Sequence, residues 1–206
     1  MSFALILIII KQIMKKIVLL LLLLINVSAY SQQQEHLQFM GIPITGQKEY
    51  VAQELIKKGF KKDVNITNSE PTTIFLEGRF VNRDAYVSVV ENGNDIVWKI
   101  LVLFEHKETW NSLLSEYNSI KELYSKKYGE PDFYEEYYKD NIYRNSGVEL
   151  YALNNGWIKY TTYYKVANGI IGLFFAPIDN NSASVIIVYE DEMNAQQLEE
   201  QILNDI

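Results

Sequence analysis

The sequence predicts an α+β fold in which a helix followed by an antiparallel meander occurs twice. Helix-like spacing of apolar residues occurs at 47–58 and again at 110–128. Each helical segment is followed by short runs of β-branched and aromatic residues, separated by Asn- and Gly-rich turns that join antiparallel neighbours. We therefore expect a tandem helix-plus-antiparallel-meander repeat that forms one antiparallel sheet with helices packed on one face.

The first repeat is expected at residues 39–104. Its helix covers 47–58, with Thr45 as a candidate N-cap and Gly59 as the glycine that ends the helix after two lysines. Strand 96–104 is apolar on both sides, so we expect it to be central and covered on both faces. The predicted strands of this repeat are 72–80, 86–91 and 96–104.

The second repeat is expected at residues 109–191. Thr109 is placed to cap a helix over 110–128, and Gly129 followed by Glu130-Pro131 ends that helix. Residues 132–145 are polar and aromatic, and we interpret them as a connection. The predicted strands are 148–153, 157–166, 170–176 and 184–189, and a polar C-terminal helix at 194–203 closes the chain.

Several short motifs follow one another along the chain. They are Phe39-Met-Gly-Ile-Pro-Ile-Thr-Gly46, Lys57-Lys-Gly-Phe60, Leu76-Glu-Gly-Arg-Phe80, the helix from Trp110 into Tyr128-Gly-Glu-Pro131, and Val188-Tyr-Glu-Asp191. In this order the motifs resemble an uncharacterised family of secreted or periplasmic proteins from Bacteroides-type bacteria. The order of elements is also similar to the tandem layout of β-lactamase-inhibitor-protein-like folds. The resemblance implies this fold and carries over no functional residue.

The N-terminus has the pattern of a secretory signal peptide. When the chain is read from Met14, two lysines precede a nine-residue apolar run at 17–25 and a short polar segment. The alternative, an uncleaved membrane anchor, needs about 20 apolar residues, and neither apolar run near the N-terminus is that long. We expect residues 1–31 to be a signal peptide that starts at Met14, and 32–206 to be a single exported domain. Its expected location is periplasmic or extracellular, without stable membrane insertion after cleavage.

Residues 32–206 are strongly acidic. The whole sequence has 19 basic and 26 acidic residues, and the three lysines before residue 32 leave 16 basic residues and a net charge of −10. This balance argues against nucleic acid and anionic membrane surfaces as partners, because both attract basic patches. The sequence contains no cysteine, so we expect no disulfide, although an exported protein could form one.

We find no residue pattern typical of a catalytic, cofactor-binding or metal site. The two histidines are His36 and His106, and His106 lies in a charged segment that we interpret as a solvated turn rather than a zinc site. No Gly-x-Ser-x-Gly nucleophile elbow occurs. The alternative function is an exported carboxylate-dependent hydrolase, which predicts a deep pocket lined by two carboxylates of raised pKa.

We expect a non-catalytic module that binds a protein or peptide partner on an open sheet face. Aromatic residues lie among acids at 130–144 and alternate along strand 157–166, and such residues are common in interfaces. For 130–144, the alternative is that its aromatic side chains pack over helix 110–128 while its acids face water. The candidates for partner binding are Tyr134, Tyr137, Tyr138, Trp157 and Tyr160.

Overall fold

The computed structural model describes residues 35–64 and 70–204. The predicted signal peptide at 1–31 lies outside the described residues. The helices are α1 (Lys48–Lys57), α2 (Trp110–Tyr128), α3 (Glu149–Asn154) and α4 (Glu192–Asn204), with a 3-10 turn at Asn141–Tyr143. The strands are β1 (Gln38–Phe39), β2 (Ile42–Pro43), β3 (Lys61–Lys62), β4 (Thr73–Phe80), β5 (Arg83–Glu91), β6 (Val97–Phe104), β7 (Phe133–Tyr138), β8 (Ile158–Val166), β9 (Gly169–Pro177) and β10 (Ala183–Asp191). Of the helices in the described ranges, none combines the length and the apolarity that a membrane crossing requires.

Eight strands form one antiparallel sheet in the order β3-β4-β5-β6-β10-β9-β8-β7. Strands β1 and β2 form a separate two-stranded ribbon. The predicted α+β class with an antiparallel sheet is therefore confirmed. Each half of the chain contributes four consecutive strands, and the halves meet where β6 pairs with β10. This is the order that a tandem repeat predicts; the repeat itself, and the packing of the helices on one common face, stay predictions.

The sheet has one covered face, and helix α2 is attached to it by tyrosine hydroxyl groups. The hydroxyls of Tyr117 on α2 and Thr162 on β8 lie 2.6 Å apart, and Tyr124 on α2 bonds Tyr189 on β10. The buried side chains of neighbouring strands are directly opposite one another in the ladder, which places them on this same face. They include Val87, Val102, Ile187, Leu173 and Tyr164.

Helix α1 lies against β4 and β5 and buries Val51, Ala52 and Leu55. The predicted glycine at its end is confirmed, since Gly59 has a φ of 101° in the left-handed region. The prediction that Thr45 caps the helix is wrong. The N-cap position is Gln47, which makes no side-chain capping bond, because the helix begins two residues later than a Thr45 cap would place it.

Asp191 and Asn194 join the start and the end of the described fold. The buried Asp191 carboxylate accepts hydrogen bonds from the backbone N–H groups of Leu37, at 2.8 Å, and of Asn194, at 3.0 Å. The Asn194 side chain donates to the carbonyls of Ile44 and Val97, at 3.0 and 2.9 Å. One short segment at the β10–α4 junction therefore holds the N-terminal ribbon, the first residue of β6 and the last helix together.

The second half of the chain confirms most of the predicted elements. Helix 110–128 has the predicted limits, and the Thr109 side chain accepts a hydrogen bond from the N–H of Ser112, as expected of its N-cap. Two predictions are wrong. Residues 132–145 are not only a connection, because 133–138 form β7, an edge strand whose side chains are mostly exposed and which therefore lacks an apolar period.

The predicted strand at 148–153 is helix α3. Its buried residues are Glu149, Ala152 and Leu153, a spacing of three and four residues that fits a helix rather than a strand. Strand β6 is central, as predicted, but the expectation that both its faces are covered is wrong. Leu101 and Leu103, whose side chains point away from α2, remain partly exposed.

Candidate functional site: the open sheet face

The side of the sheet opposite α2 is here called the open face, and two rows of side chains cross it. The ladder register places the members of each row directly opposite their neighbours on successive strands. The first row is Phe133, Tyr163, Gly172, Val188, Leu101, Ser88 and Phe75. The second row is Glu135, Thr161, Phe174, Ile186, Leu103, Tyr86 and Glu77.

Gly172 gives the open face its most pronounced local shape. An added Cβ at this position would lie 2.5 Å from Cε2 of Phe174, so the absence of a side chain lets that ring fold over the backbone. Tyr163 packs edge-on against the same ring, with centroids 5.3 Å apart, and Phe133 follows at 6.1 Å from Tyr163. Leu101, Val188 and Ile170 complete a shallow cleft of about 160 Å³ beside these aromatic rings.

The open face is nearly neutral on an otherwise acidic protein. The register places five basic and four acidic side chains on this face, and some are joined in ion pairs. Lys99 and Glu190 lie 2.8 Å apart, and Arg79 and Asp84 lie 3.7 Å apart. The acidic excess of the chain therefore lies elsewhere. The charged residues of the face are Lys61, Arg79, Lys99, Lys159, Lys165, Glu77, Asp84, Glu135 and Glu190.

Of the five predicted binding residues, Tyr137 lies on the open face, opposite Lys159. Tyr134 and Tyr138 point to the covered side at the free edge of β7. The Lys121 ammonium lies 3.3 Å from the Tyr134 ring centroid, and the Arg144 guanidinium lies 3.9 Å from that of Tyr138. Partial burial raises the pKa of both phenols. These two tyrosines are therefore held by basic groups of the chain itself.

Tyr160 does not belong to the open face, and Trp157 lies just before the strand β8 that contributes to it. Tyr160 is only 5% exposed, packs against the rings of Trp110 and Phe175, and has a strongly raised pKa because of burial. Its expected place on an accessible sheet face is wrong. Trp157 precedes β8 and packs against Tyr143 and Tyr151.

The prediction of an accessible Tyr160 on β8 was wrong because hydroxyl-bearing residues in a strand are usually expected to face solvent. Thr162 and Tyr160 are buried, and their hydroxyls bond those of Tyr117 and Tyr138. The alternate set, Lys159, Thr161, Tyr163 and Lys165, points to the open face. Sequence alternation separates the two sets, but nothing in it says which one faces α2. The one feature of the sequence that could have indicated this site is Gly172, between Ile171 and Leu173. An isolated glycine in an apolar strand often marks a place where another group lies close to the backbone.

A carboxylate-dependent hydrolase requires a deep pocket lined by two carboxylates of raised pKa, and in this structure the pocket and the carboxylate of raised pKa lie in different places. The cleft at the start of α2 and α3, about 580 Å³, is lined by Glu108 and Glu149. The Glu149 carboxylate accepts a hydrogen bond from the N–H of Ser146 at 2.8 Å. Burial raises the pKa of Glu116, but that residue lies in a different groove, 3.6 Å from Arg83. The geometry therefore gives this alternative no specific support.

The described part of the chain contains no group of three His, Asp or Glu residues arranged to hold a metal ion. The resemblance to an exported family and to β-lactamase-inhibitor-protein-like folds stays a prediction. Compared with known proteins, the chain matches no protein-family model, no curated protein and no solved structure.

Proposed function

We propose that this protein is a non-catalytic binding module that holds a partner protein against the open sheet face. The observation that carries the proposal is the pair of apolar and aromatic rows that cross the sheet, whose side chains are exposed or only partly buried. A face of an antiparallel sheet that meets water normally carries polar side chains. A contiguous apolar area on such a face is typical of an interaction site.

The chemistry of the open face favours a partner with an apolar surface of its own. Phe174, Tyr163 and Phe133 supply the large side chains that contribute most to protein interfaces. The charges at the rim are partly neutralised within the face, as for Lys99 and Glu190. A partner would therefore need no large opposite charge, and apolar contact would provide most of the affinity.

We also propose that the protein acts after export, in the periplasm or outside the cell. The support is the sequence pattern at 1–31, with its lysines and short apolar run. A small acidic module with an apolar sheet face fits the role of an extracytoplasmic binding protein, and no feature described above requires a cofactor.

The proposal is tested by photo-crosslinking in the cells that produce the protein. A benzophenone amino acid is placed at Tyr163 on the open face and, as a matched control, at Tyr50, an exposed tyrosine on α1. We expect one discrete protein adduct from position 163 and none from position 50. The adduct identifies the partner, which is then purified for binding measurements.

A second variant decides whether the open face itself is responsible. Val188→Glu places a carboxylate between Leu101 and Gly172, in the first row of the open face. Burying an unpaired charge in an interface costs about 2 kcal/mol or more, so we expect affinity for the purified partner to fall about thirtyfold. The proposal fails if Val188→Glu stays folded and binds normally, or if both crosslinking positions give the same adducts.

A further inference from the structure

Strand β7 leaves one side of its backbone without a partner strand. It pairs with β8 only, and the first five of its six side chains are exposed. The N–H of Lys139 donates to the carbonyl of Trp157 at 2.7 Å, in the same register as the β7–β8 ladder. Because alternate residues of an antiparallel strand bond the same neighbour, Phe133, Glu135 and Tyr137 face β8. The backbone N–H and C=O groups of Tyr134, Glu136 and Tyr138 therefore point outward.

The opposite edge of the sheet is built differently. There, β3 has only two residues, Lys61 and Lys62, and both are exposed. Very short strands and lysines are the usual means by which proteins protect a sheet edge against unwanted pairing. Strand β7 contains neither lysine nor proline, and no bulge interrupts its pairing with β8. The β3 edge is therefore protected by its short length and its lysines, whereas the β7 edge is longer and has two glutamates as its only feature of this kind.

We propose that β7 accepts an extended segment of a partner protein as a ninth strand, with a basic residue beside Glu135. This inference deepens the proposed function, because an added strand would continue the open face beyond Phe133 and Tyr137. Strand addition supplies main-chain hydrogen bonds, and alternate side chains supply specificity. In the segment that pairs with β7, we expect every second residue to follow the order apolar, basic, apolar.

The carboxylates of β7 indicate where the partner's basic residue would lie. Glu136, on the covered side of β7, is already bonded to Arg144 at 2.6 Å. Glu135 makes no ion pair with the described residues and lies between Phe133 and Tyr137 on the open face. A lysine or arginine of an added strand would therefore gain a cross-strand partner, with apolar neighbours on both sides.

A second copy of this chain fits the same edge poorly. A twofold axis that keeps both open faces on the same side must pass through a residue of β7. The two registers with the greatest overlap centre on Glu135 or on Glu136. The first places two carboxylates that have no described ion pair directly opposite one another, and the second opposes two carboxylates that each bind Arg144. Like charges in that position destabilise the pairing, so the charge pattern favours a basic partner strand over self-association.

The test uses the full protein and a nine-residue peptide, Val-Thr-Val-Thr-Lys-Thr-Val-Thr-Val, with blocked ends. Backbone amide hydrogen exchange is measured by NMR with and without the peptide at millimolar concentration. We expect the outward amides of Tyr134, Glu136 and Tyr138 to exchange about tenfold more slowly with the peptide, as newly bonded strand amides do. A peptide with glutamate in place of the lysine should bind about fivefold more weakly, and Glu135→Lys should reverse this preference.

Two variants at one position isolate the backbone contribution. Glu136→Pro removes an outward N–H without removing a bond to β8, whereas Glu136→Ala loses the same carboxylate and keeps the N–H. Circular dichroism checks that both variants are folded. We expect Ala to retain peptide binding and Pro to lose it. Equal binding by the two folded variants, or no preference for lysine over glutamate, would overturn the proposal.

Two further measurements distinguish the remaining outcomes. Sedimentation that shows a wild-type dimer, broken by Glu136→Pro, would replace the basic partner strand with a second copy and overturn the proposal. Val188→Glu should bind the peptide normally, because Val188 is three strands away from β7. If the crosslinks at position 163 fail while peptide pairing persists, only the open-face function is lost. If the peptide fails while those crosslinks persist, only the edge inference is lost.

Discussion

Two glycines on opposite faces of the sheet allow the difference between the covered and the open face to be measured. At Gly78, an added Cβ would lie 2.5 Å from Cδ1 of Phe60, and at Gly172 it would lie 2.5 Å from Cε2 of Phe174. The two contacts are equally close, but their surroundings differ. Phe60 is 2% exposed on the covered side, whereas Phe174 is only partly buried on the open face.

Alanine substitution should therefore cost very different amounts at the two positions. Overpacking a protein interior costs about 1–3 kcal/mol. Phe60 has no free space to move into, so we expect Gly78→Ala to lower the free energy of unfolding by about 3 kcal/mol. Phe174 can turn toward solvent and would lose only its contact with Tyr163, so Gly172→Ala should cost about 1 kcal/mol. The loss of glycine flexibility in the unfolded chain is common to both variants and cancels in the comparison.

Urea unfolding at 25 °C measures both values. A double-mutant cycle adds the test of mechanism, because Phe174→Ala should remove the cost of Gly172→Ala, and Phe60→Ala should remove much of the cost of Gly78→Ala. Equal losses at the two glycines would refute the claim that one face is uncovered. A Gly172→Ala cost that persists without the Phe174 ring would place the strain in the backbone instead.

Other predictions concern the core and its tyrosines. Asn194→Ala should leave the carbonyls of Ile44 and Val97 without their donor and lower the free energy of unfolding by about 3 kcal/mol in a urea titration. The control Gln197→Ala, at an exposed position on the same helix, should change it by less than about 0.5 kcal/mol. Burial raises the pKa of Tyr117, Tyr124, Tyr160 and Tyr189 above the ordinary value near 10. Their contribution to stability is therefore complete below about pH 10 and is lost as pH rises through their folded-state pKa values, since the unfolded chain ionises first. An alkaline titration of phenolate absorbance should show a set of tyrosines that ionise only on unfolding; smooth titration of all tyrosines in the folded protein would contradict this.

The spacing of apolar residues along the chain predicted the helices and strands that bury one side. Helix α2 has the limits that its apolar spacing gives, because that spacing is what packs against the sheet. Strand β7 escaped prediction because an exposed edge strand has no buried side to reveal. The start of β5 was misplaced for another reason. Val81 and Asn82 form a tight turn with φ values of 46° and 62°, and turn chemistry does not predict a valine in that conformation.

The candidate site was predicted only in outline. An open sheet face follows from the predicted packing of helices on one side of the sheet, but the residues on that face depend on which side of each strand points toward the helices. The aromatic residues of β8 illustrate this, since Tyr160 is enclosed by Trp110, Tyr117 and Phe175 while Tyr163, three residues later, faces outward. Which of these tyrosines is buried is decided by the register of β8 with β9 and by the position of α2, and both bring together residues that are distant in sequence.

The junction formed by Asp191 and Asn194 has a consequence for the order of folding. Its bonds reach Leu37 and Ile44, which lie 154 and 150 residues away along the chain. Contacts of such long sequence separation form late, because a large loop must close before they contribute any stability. During synthesis the N-terminal ribbon would therefore lack these hydrogen bonds until the last helix has left the ribosome. Under the export that we propose, this order of folding would leave the chain unfolded during transfer across the membrane and would let the fold close afterwards.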